Sequence, residues 1–253
     1  MNELITIAID SIECRADAID LANTLSLPFA ELSPQQLQLV ITQRHIEMRA
    51  PDLGKPIFID FEQGKNAHRR QFGGGRGQAL AKAIGLKKGA TPTVIDATAG
   101  FGRDAFVLAN LGCTITLIER NPLIAALLHD AVNRAINNDE LHDIISRMSV
   151  INHNAIDYLN TLTSEKPDVV YLDPMYPSRE KSALVKKDMR LLHQLAGEDN
   201  DSHQLLSSAR LVARKRVVIK RPKSAPFVGD QKPDTHIESK NTRYDVYLVK
   251  TSE

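Results

Sequence analysis

Cysteine is scarce in this chain: Cys14 and Cys113 are the only two, far apart and without metal-ligand spacing. That pattern excludes a disulfide framework and a cysteine zinc site, and it fits a reducing, cytoplasmic setting. Long apolar runs are also missing, so no segment reads as a membrane span. Residues 1–13 carry acids where a secretory leader places a basic segment before an apolar one, and a soluble, unprocessed protein is expected. The histidines (45, 68, 129, 142, 153, 193, 203 and 236) do not pair at ligand intervals, and neither H-E-x-x-H nor G-x-S-x-G occurs. Hydrolytic and metal-dependent chemistry are therefore not expected. Internal repeats and low-complexity tracts are absent too. What is present is 253 residues, enough for one α/β domain with a small appendage.

Net charge is only +1, but the charges are unevenly placed. Residues 1–63 hold ten acids against four Lys or Arg. Residues 64–95 hold Lys65, Arg69, Arg70, Arg76, Lys82, Lys87 and Lys88 with no acid, and residues 202–229 hold Arg210, Arg214, Lys215, Arg216, Lys220, Arg221 and Lys223, again unopposed in sequence. If the two blocks share a face they form an electrostatic footprint for phosphates; either block alone reads as solvated surface.

Three β-like runs, 4–9, 37–48 and 56–61, punctuated by Pro and Gly, predict a small β-rich N-terminal subdomain over 1–63. Residues 64–90 form a basic connector with a glycine cluster (Gly73, Gly74, Gly75, Gly77) and a helical stretch over 78–84. From residue 91 to 253 strands and helices alternate: strand 93–97, helix 103–111, strand 114–119, helix 122–137, strand 149–152, a short helix from Ala155, strand 168–172, a helix around 182–196, then strands 216–219 and 244–249. The alternation predicts a mostly parallel sheet covered by helices, a Rossmann-like, doubly wound α/β domain. Residues 197–202 read as a surface loop.

Asp173-Pro174-Met175-Tyr176 follows the apolar run Val169-Val170-Tyr171-Leu172. An acid, a fixed turn and an aromatic face at the end of a buried strand can grip a planar base. The Asp173 carboxylate and the Pro174 carbonyl accept the two N–H groups of an exocyclic amine, and Tyr176 covers the ring. This is the chemistry of an amino-group methyltransferase, although an isolated D-P-x-Y is also an ordinary strand end with a packing tyrosine.

Upstream, Val94-Ile95-Asp96 runs into Ala97-Thr98-Ala99-Gly100-Phe101-Gly102 and a helix start at Arg103-Asp104-Ala105. Open α/β sheets bind ligands there, outside the carboxyl ends of their strands. Gly100-x-Gly102-x-x-Ala105 also satisfies a loose dinucleotide fingerprint, so NAD has to be weighed. Asp96 opposes NAD: a carboxylate at the strand end suits the cationic methionine part of S-adenosylmethionine and sits poorly beside a pyrophosphate. Glu119, ending the next strand, can take both ribose hydroxyls of either cofactor. Arg120 either stacks on adenine or faces water. Asn154 either reads the adenine amine or caps the helix that starts at Ala155. Arg103 and Asp104 form an N-terminal charge pair, with Asp104 able to complement the helix dipole.

Together these residues resemble the small-subunit ribosomal RNA guanine-N2 methyltransferases of the RsmJ type, over most of the chain after the N-terminal region. The resemblance is carried by residues 67–77 (A-H-R-R-Q-F-G-G-G-R-G), by residues 96–109 starting at Asp96, and by Glu119-Arg120-Asn121-Pro122. It continues through residues 171–177 around Asp173, Lys181-Ser182-Ala183-Leu184-Val185-Lys186-Lys187, and residues 215–222 ending in Lys220-Arg221-Pro222. It implies a class I methyltransferase fold with a mostly parallel seven-stranded sheet and S-adenosylmethionine as cofactor. The implied cofactor contacts are Arg103, Asp104, Glu119, Arg120, Asn154, Ala155 and Asp173, beside Asp96, Gly100 and Gly102 from the motif itself. The implied substrate is a specific guanine of 16S rRNA, alone or in the small ribosomal subunit. Asp173, Pro174 and Tyr176 would form the catalytic corner. Arg69, Arg70, Arg76, Lys181, Lys186, Lys187, Lys220 and Arg221 would hold the RNA backbone. Another base amine, adenine N6 or cytosine N4, remains open on the residues alone, as does an NAD-dependent oxidoreductase.

Overall fold

A computed structural model describes residues 5–51, 53–63, 75–87, 89–175, 195 and 201–249. The N-terminal part is a three-stranded sheet, β1 (Thr6–Ile9), β2 (Gln38–Ile41) and β3 (Ile46–Arg49), in that order. β1 and β2 run parallel because an eleven-residue helix, α1 (Arg15–Leu25), crosses between them, while β3 returns antiparallel to β2. The run 37–48 is thus a hairpin and not one strand. Thr42 breaks it, its Oγ1 accepting the N–H groups of Arg44 and His45 at 3.1 and 3.0 Å. α1 is not read from the sequence, although Ala18, Leu21, Ala22 and Leu25 stand at helical spacing and pack on the core.

After α2 (Ala79–Ile84) comes the main sheet: β4 (Thr93–Asp96), β5 (Thr114–Glu119), β6 (Met148–Asn152), β7 (Val169–Leu172), β8 (Arg216–Pro222), β9 (Thr235–Glu238) and β10 (Thr242–Leu248), ordered β6-β5-β4-β7-β8-β10-β9. The first five in that order are parallel, and β10 is antiparallel to both its neighbours. β7 is buried along its whole length, as a central parallel strand covered on both faces must be. Helices α3 (Arg103–Asn110), α4 (Pro122–Ala135) and α5 (His142–Ile145) share one apolar cluster with α2; α6 (Ala155–Thr161) and α7 (Ser202–Val212) share the other. The fold is that of class I methyltransferases, with a seven-stranded, mostly parallel sheet and a small three-stranded sheet beside it. Three elements of this domain are not read from the sequence: α5 is a single four-residue turn, α7 lies inside a segment read for its charge, and β9 is an edge strand whose residues are mostly exposed.

Chain order runs outward from β4 to β6, then crosses back to β7 on the other side of β4. This reversal opens a crevice at the carboxyl ends of β4 and β7. The N-terminal sheet is fused to the same core. Phe61 stacks on Phe106 of α3 with ring centroids 4.9 Å apart, Arg134 of α4 donates to the Ile59 carbonyl at 2.6 Å, and Ile7, Leu39 and Met48 belong to the cluster that holds Leu108 and Leu128. Phe61→Ala should cost about 3–5 kcal/mol and lower the midpoint of a single cooperative urea transition. A loss below about 1 kcal/mol would mean that the N-terminal sheet does not share the core.

Candidate active site

The carboxyl ends of β4, β5, β7 and β8 surround a cavity of about 260 Å³. Parallel strands all point the same way, so the residue ending each one arrives at a common edge. Asp96 ends β4, is 2 % exposed, and accepts the Thr98 N–H at 3.2 Å. Burial pushes its carboxyl up from the ordinary 3.8 to about 8; the Thr98 N–H opposes this, Asp104 and Asp173 add to it, and Lys220 opposes it.

The turn after β4 needs its glycines for different reasons. Gly102 has φ +66°, and a Cβ there would lie 2.9 Å from Leu128 Cδ1, so both conformation and packing require glycine. Gly100, at φ +51°, has nothing within 4 Å of an added Cβ and leaves the turn open toward the cavity it lines. Glu119 ends β5, and its two carboxylate oxygens accept the N–H groups of Gly100 and Asn121, each at 2.8 Å. Both amides fix its orientation against the cavity wall. Asn121 then caps α4 through the N–H groups of Leu123 and Ile124, with Pro122 in the first turn. Arg120 reaches Asp201 at 3.4 Å, just before α7, and the Arg103 guanidinium lies 5.3 Å from the Phe101 ring centroid. Asn154 caps α6, accepting from Ile156 and Asp157 at 2.9 and 3.2 Å, and Ala155 is buried on the cavity wall.

On the other side of β4, the Asp173 N–H donates to Thr98 Oγ1 at 2.6 Å, tying the loop after β7 to the turn after β4. Lys220 Nζ lies 2.7 Å from Asp173 Oδ2 and 2.8 Å from Asp104 Oδ2. Tyr171, buried in β7, donates its hydroxyl to the same Asp104 oxygen at 2.7 Å. Burial alone would push Lys220 down, but Asp173 and Asp104 outweigh it and hold the ammonium above the usual lysine range. Burial, then Asp104, keeps the Tyr171 hydroxyl protonated well above the ordinary tyrosine range.

The structure thus brings Asp96, Gly100, Arg103, Asp104, Glu119, Arg120, Asn154, Ala155 and Asp173 to one cavity, with Gly102 beneath them. Pro174 and Met175 follow Asp173 directly, Met175 packing on the core. Tyr176, Arg69, Arg70, Lys181, Lys186 and Lys187 lie outside the described residues, as does most of the helix expected around 182–196. Three residues expected on RNA phosphates make contacts within the protein. Lys220 is inside the cavity. Arg221 is 6 % exposed and donates to the Pro226 carbonyl at 3.1 Å. Arg76 donates to the carbonyls of Lys87, Ala90 and Leu111, bracing three chain segments.

The block 202–229 is likewise not an unopposed stripe. Arg214 and Lys215 both meet Asp168, Lys223 meets Glu238, Arg216 bonds the Ala83 carbonyl, and Arg210 bonds Gln231. Its partners are distant in sequence, so a local charge tally misses them. Sequence reasoning also overlooked Thr98 and Tyr171. A tyrosine in the middle of a buried strand was itself a signal, because its hydroxyl needs a partner there.

Comparison with known proteins shows the family. The family described as "Putative SAM-dependent methyltransferase" matches residues 20–249. The chain is similar to the ribosomal RNA small subunit methyltransferase J of Nitrosococcus oceani, 51% identical over 96% of this chain and 98% of that one. It is also similar to the protein of the same name from Tolumonas auensis, 52% identical over 94% and 95%. Among solved structures, a SAM-dependent methyltransferase from Neisseria gonorrhoeae superposes with a TM-score of 0.75 at 37% identity, covering 98% of this chain and 97% of that one.

The raised Asp96 group gives a pH signature. In the free protein the carboxyl is protonated below about pH 8, so a cationic ligand must drive its proton off. Affinity for S-adenosylmethionine should therefore climb as pH rises toward that value and level above it, with protons released on binding below it. Folding stability moves the other way: it falls as pH rises from about 4 to about 8, because the unfolded chain loses this proton first. Calorimetric titrations in buffers of different ionisation enthalpy check the first effect, and Asp96→Asn should remove the proton release. Equal release in that variant would assign it to another group.

Proposed function

The chain belongs to the family of S-adenosylmethionine-dependent methyltransferases that includes the small-subunit ribosomal RNA methyltransferases J, and from that membership we propose that it methylates the exocyclic N2 amine of a specific guanine in 16S rRNA. The observation that carries the reading is the juxtaposition in one cavity of two kinds of acid. Asp96 and Glu119 suit a cationic nucleoside cofactor, and Asp173 stands across from them at the mouth of β7.

The residues present fit the cofactor. Asp96 is a buried carboxylate at a place where a cation would restore its charge, and Gly100 leaves open space where any side chain would intrude. Glu119, oriented by two amides, suits a ribose diol, and Ile118, Ile124, Ala155 and Leu205 offer apolar walls for a flat ring. When bound, S-adenosylmethionine supplies an electrophilic methyl group on a sulfonium.

What the protein adds is alignment. The guanine N2 lone pair is delocalised into the ring, so the amine is a poor nucleophile and gains more from orientation than from a strong base. Asp173 and the Pro174 carbonyl accept its N–H groups, and the carboxylate stabilises the positive charge that develops on nitrogen. Tyr176 is assigned to the ring face. The base must leave its stack, or already be unpaired, for this grip to form. Arg69, Arg70, Lys181, Lys186 and Lys187 are assigned to the flanking backbone, while Arg76, Lys220 and Arg221 are reassigned to the interactions described above. The catalytic part is assigned to residues 91–253, with 64–90 joining it to the subdomain 1–63. A ribosomal substrate supports a cytoplasmic setting; no helix among the described residues is long and apolar enough to cross a membrane.

Asp173→Ala should lower transfer of tritiated methyl groups to undermodified small subunits by at least about 10²–10³-fold, the scale of losing a charge-stabilising group. S-adenosylhomocysteine binding should change far less. Near-normal turnover would remove Asp173 from the reaction.

A further inference from the structure

Thr98 holds the backbone N–H of Asp173 and Lys220 holds its carboxylate. We propose that Lys220 is the positioning residue of the amine-gripping corner, its ammonium bridging Asp104 and Asp173 so that the Asp173 carboxylate keeps one orientation toward the substrate amine. This rests on the reading of Asp173 as the amine acceptor.

Strand register places the lysine. β7 and β8 pair Tyr171 with Val218 and Leu172 with Ile219, and continuing that parallel register sets Lys220 level with Asp173. Val217, Val218 and Ile219 before it are fully buried, so the strand carries the ammonium into the cavity edge and not onto a free surface. There it faces three acids of one cavity, Asp96, Asp104 and Asp173. Asp104 is fixed in turn by the Tyr171 hydroxyl and belongs to the first turn of α3, where a helix N-terminus favours an anion.

The lysine is thus anchored to a rigid group on one side. On the other it holds the carboxylate through Oδ2. Without the bridge, the Asp173 carboxylate would lose the cation that stands between it and Asp104 and swing away from that acid. A lysine at this point is also too engaged to serve as a phosphate contact, which separates this role from one in holding the RNA backbone.

The test measures kcat on undermodified small subunits, S-adenosylhomocysteine affinity by calorimetry, and the salt dependence of RNA binding. Lys220→Met should lower kcat by about 10²-fold, the cost of misplacing a reacting group by about 1 Å, with KM for subunits and the salt slope unchanged. Because the lysine acts through Asp173, Lys220→Met combined with Asp173→Asn should be no slower than Asp173→Asn alone. A wild-type kcat in Lys220→Met, or losses that add in the double variant, overturns the proposal. So does a salt slope reduced by about 1, the mark of a lost phosphate contact. If Asp173→Asn itself keeps wild-type turnover, the amine-gripping reading fails. If Asp173→Asn is inactive while Lys220→Met is not, only the positioning role fails. Lys220→Gln, which keeps an N–H donor, carries the same readouts should the methionine variant not fold.

Discussion

Several carboxylates gathered at one cavity are the constraint around which this protein is built. Parallel strands deliver Asp96, Glu119 and Asp173 to the same edge, and α3 adds Asp104. Like charges so placed cannot all stay ionised without compensation. Each is answered differently. Asp96 is pushed up by burial, Glu119 is answered by two backbone amides, and Asp104 and Asp173 share one lysine. The acid whose ionisation burial disfavours is the one set where a cationic cofactor would restore its charge.

This division also links the two halves of the site. Thr98 donates its N–H to Asp96 on the cofactor side and accepts the Asp173 N–H on the substrate side. Asp104 opens the helix that follows the glycine turn, yet it is bonded from β7 by Tyr171 and from β8 by Lys220. The turn after β4 and the loop after β7 are therefore one mechanical unit. On the proposed reading, a methyl donor and an acceptor amine held by such a unit would meet in a geometry set by the protein, where alignment gains most for a weak nucleophile.

Much of this was legible in the sequence, and most of what was not shares a cause. β5 and the starts of α3, α4 and α6 could be read because each follows an apolar run and opens with local signals: glycine at 100 and 102, Asn121-Pro122, Asn154. The site acids could be read because a strand end in an open α/β sheet is a ligand position. What sequence reasoning missed depends on partners far along the chain. Lys220 lies 47 residues from Asp173 and 116 from Asp104, so it read as one more basic residue in a basic block. Arg76 looked like a phosphate contact because the carbonyls it braces leave no mark in the sequence. α1 is the exception, since Ala18, Leu21, Ala22 and Leu25 on its core-facing side stand at plain helical spacing.

The central claim is that the cavity joins a methyl donor to the N2 amine of a guanine in the small ribosomal subunit. The most direct measurement is to incubate the protein and S-adenosylmethionine with small subunits from a strain lacking this gene, digest the RNA, and identify the methylated nucleoside and its position by mass spectrometry. The account predicts N2-methylguanosine at a single position of 16S rRNA. Methylation of adenine N6 or cytosine N4, or no methylated nucleoside at all, would contradict it.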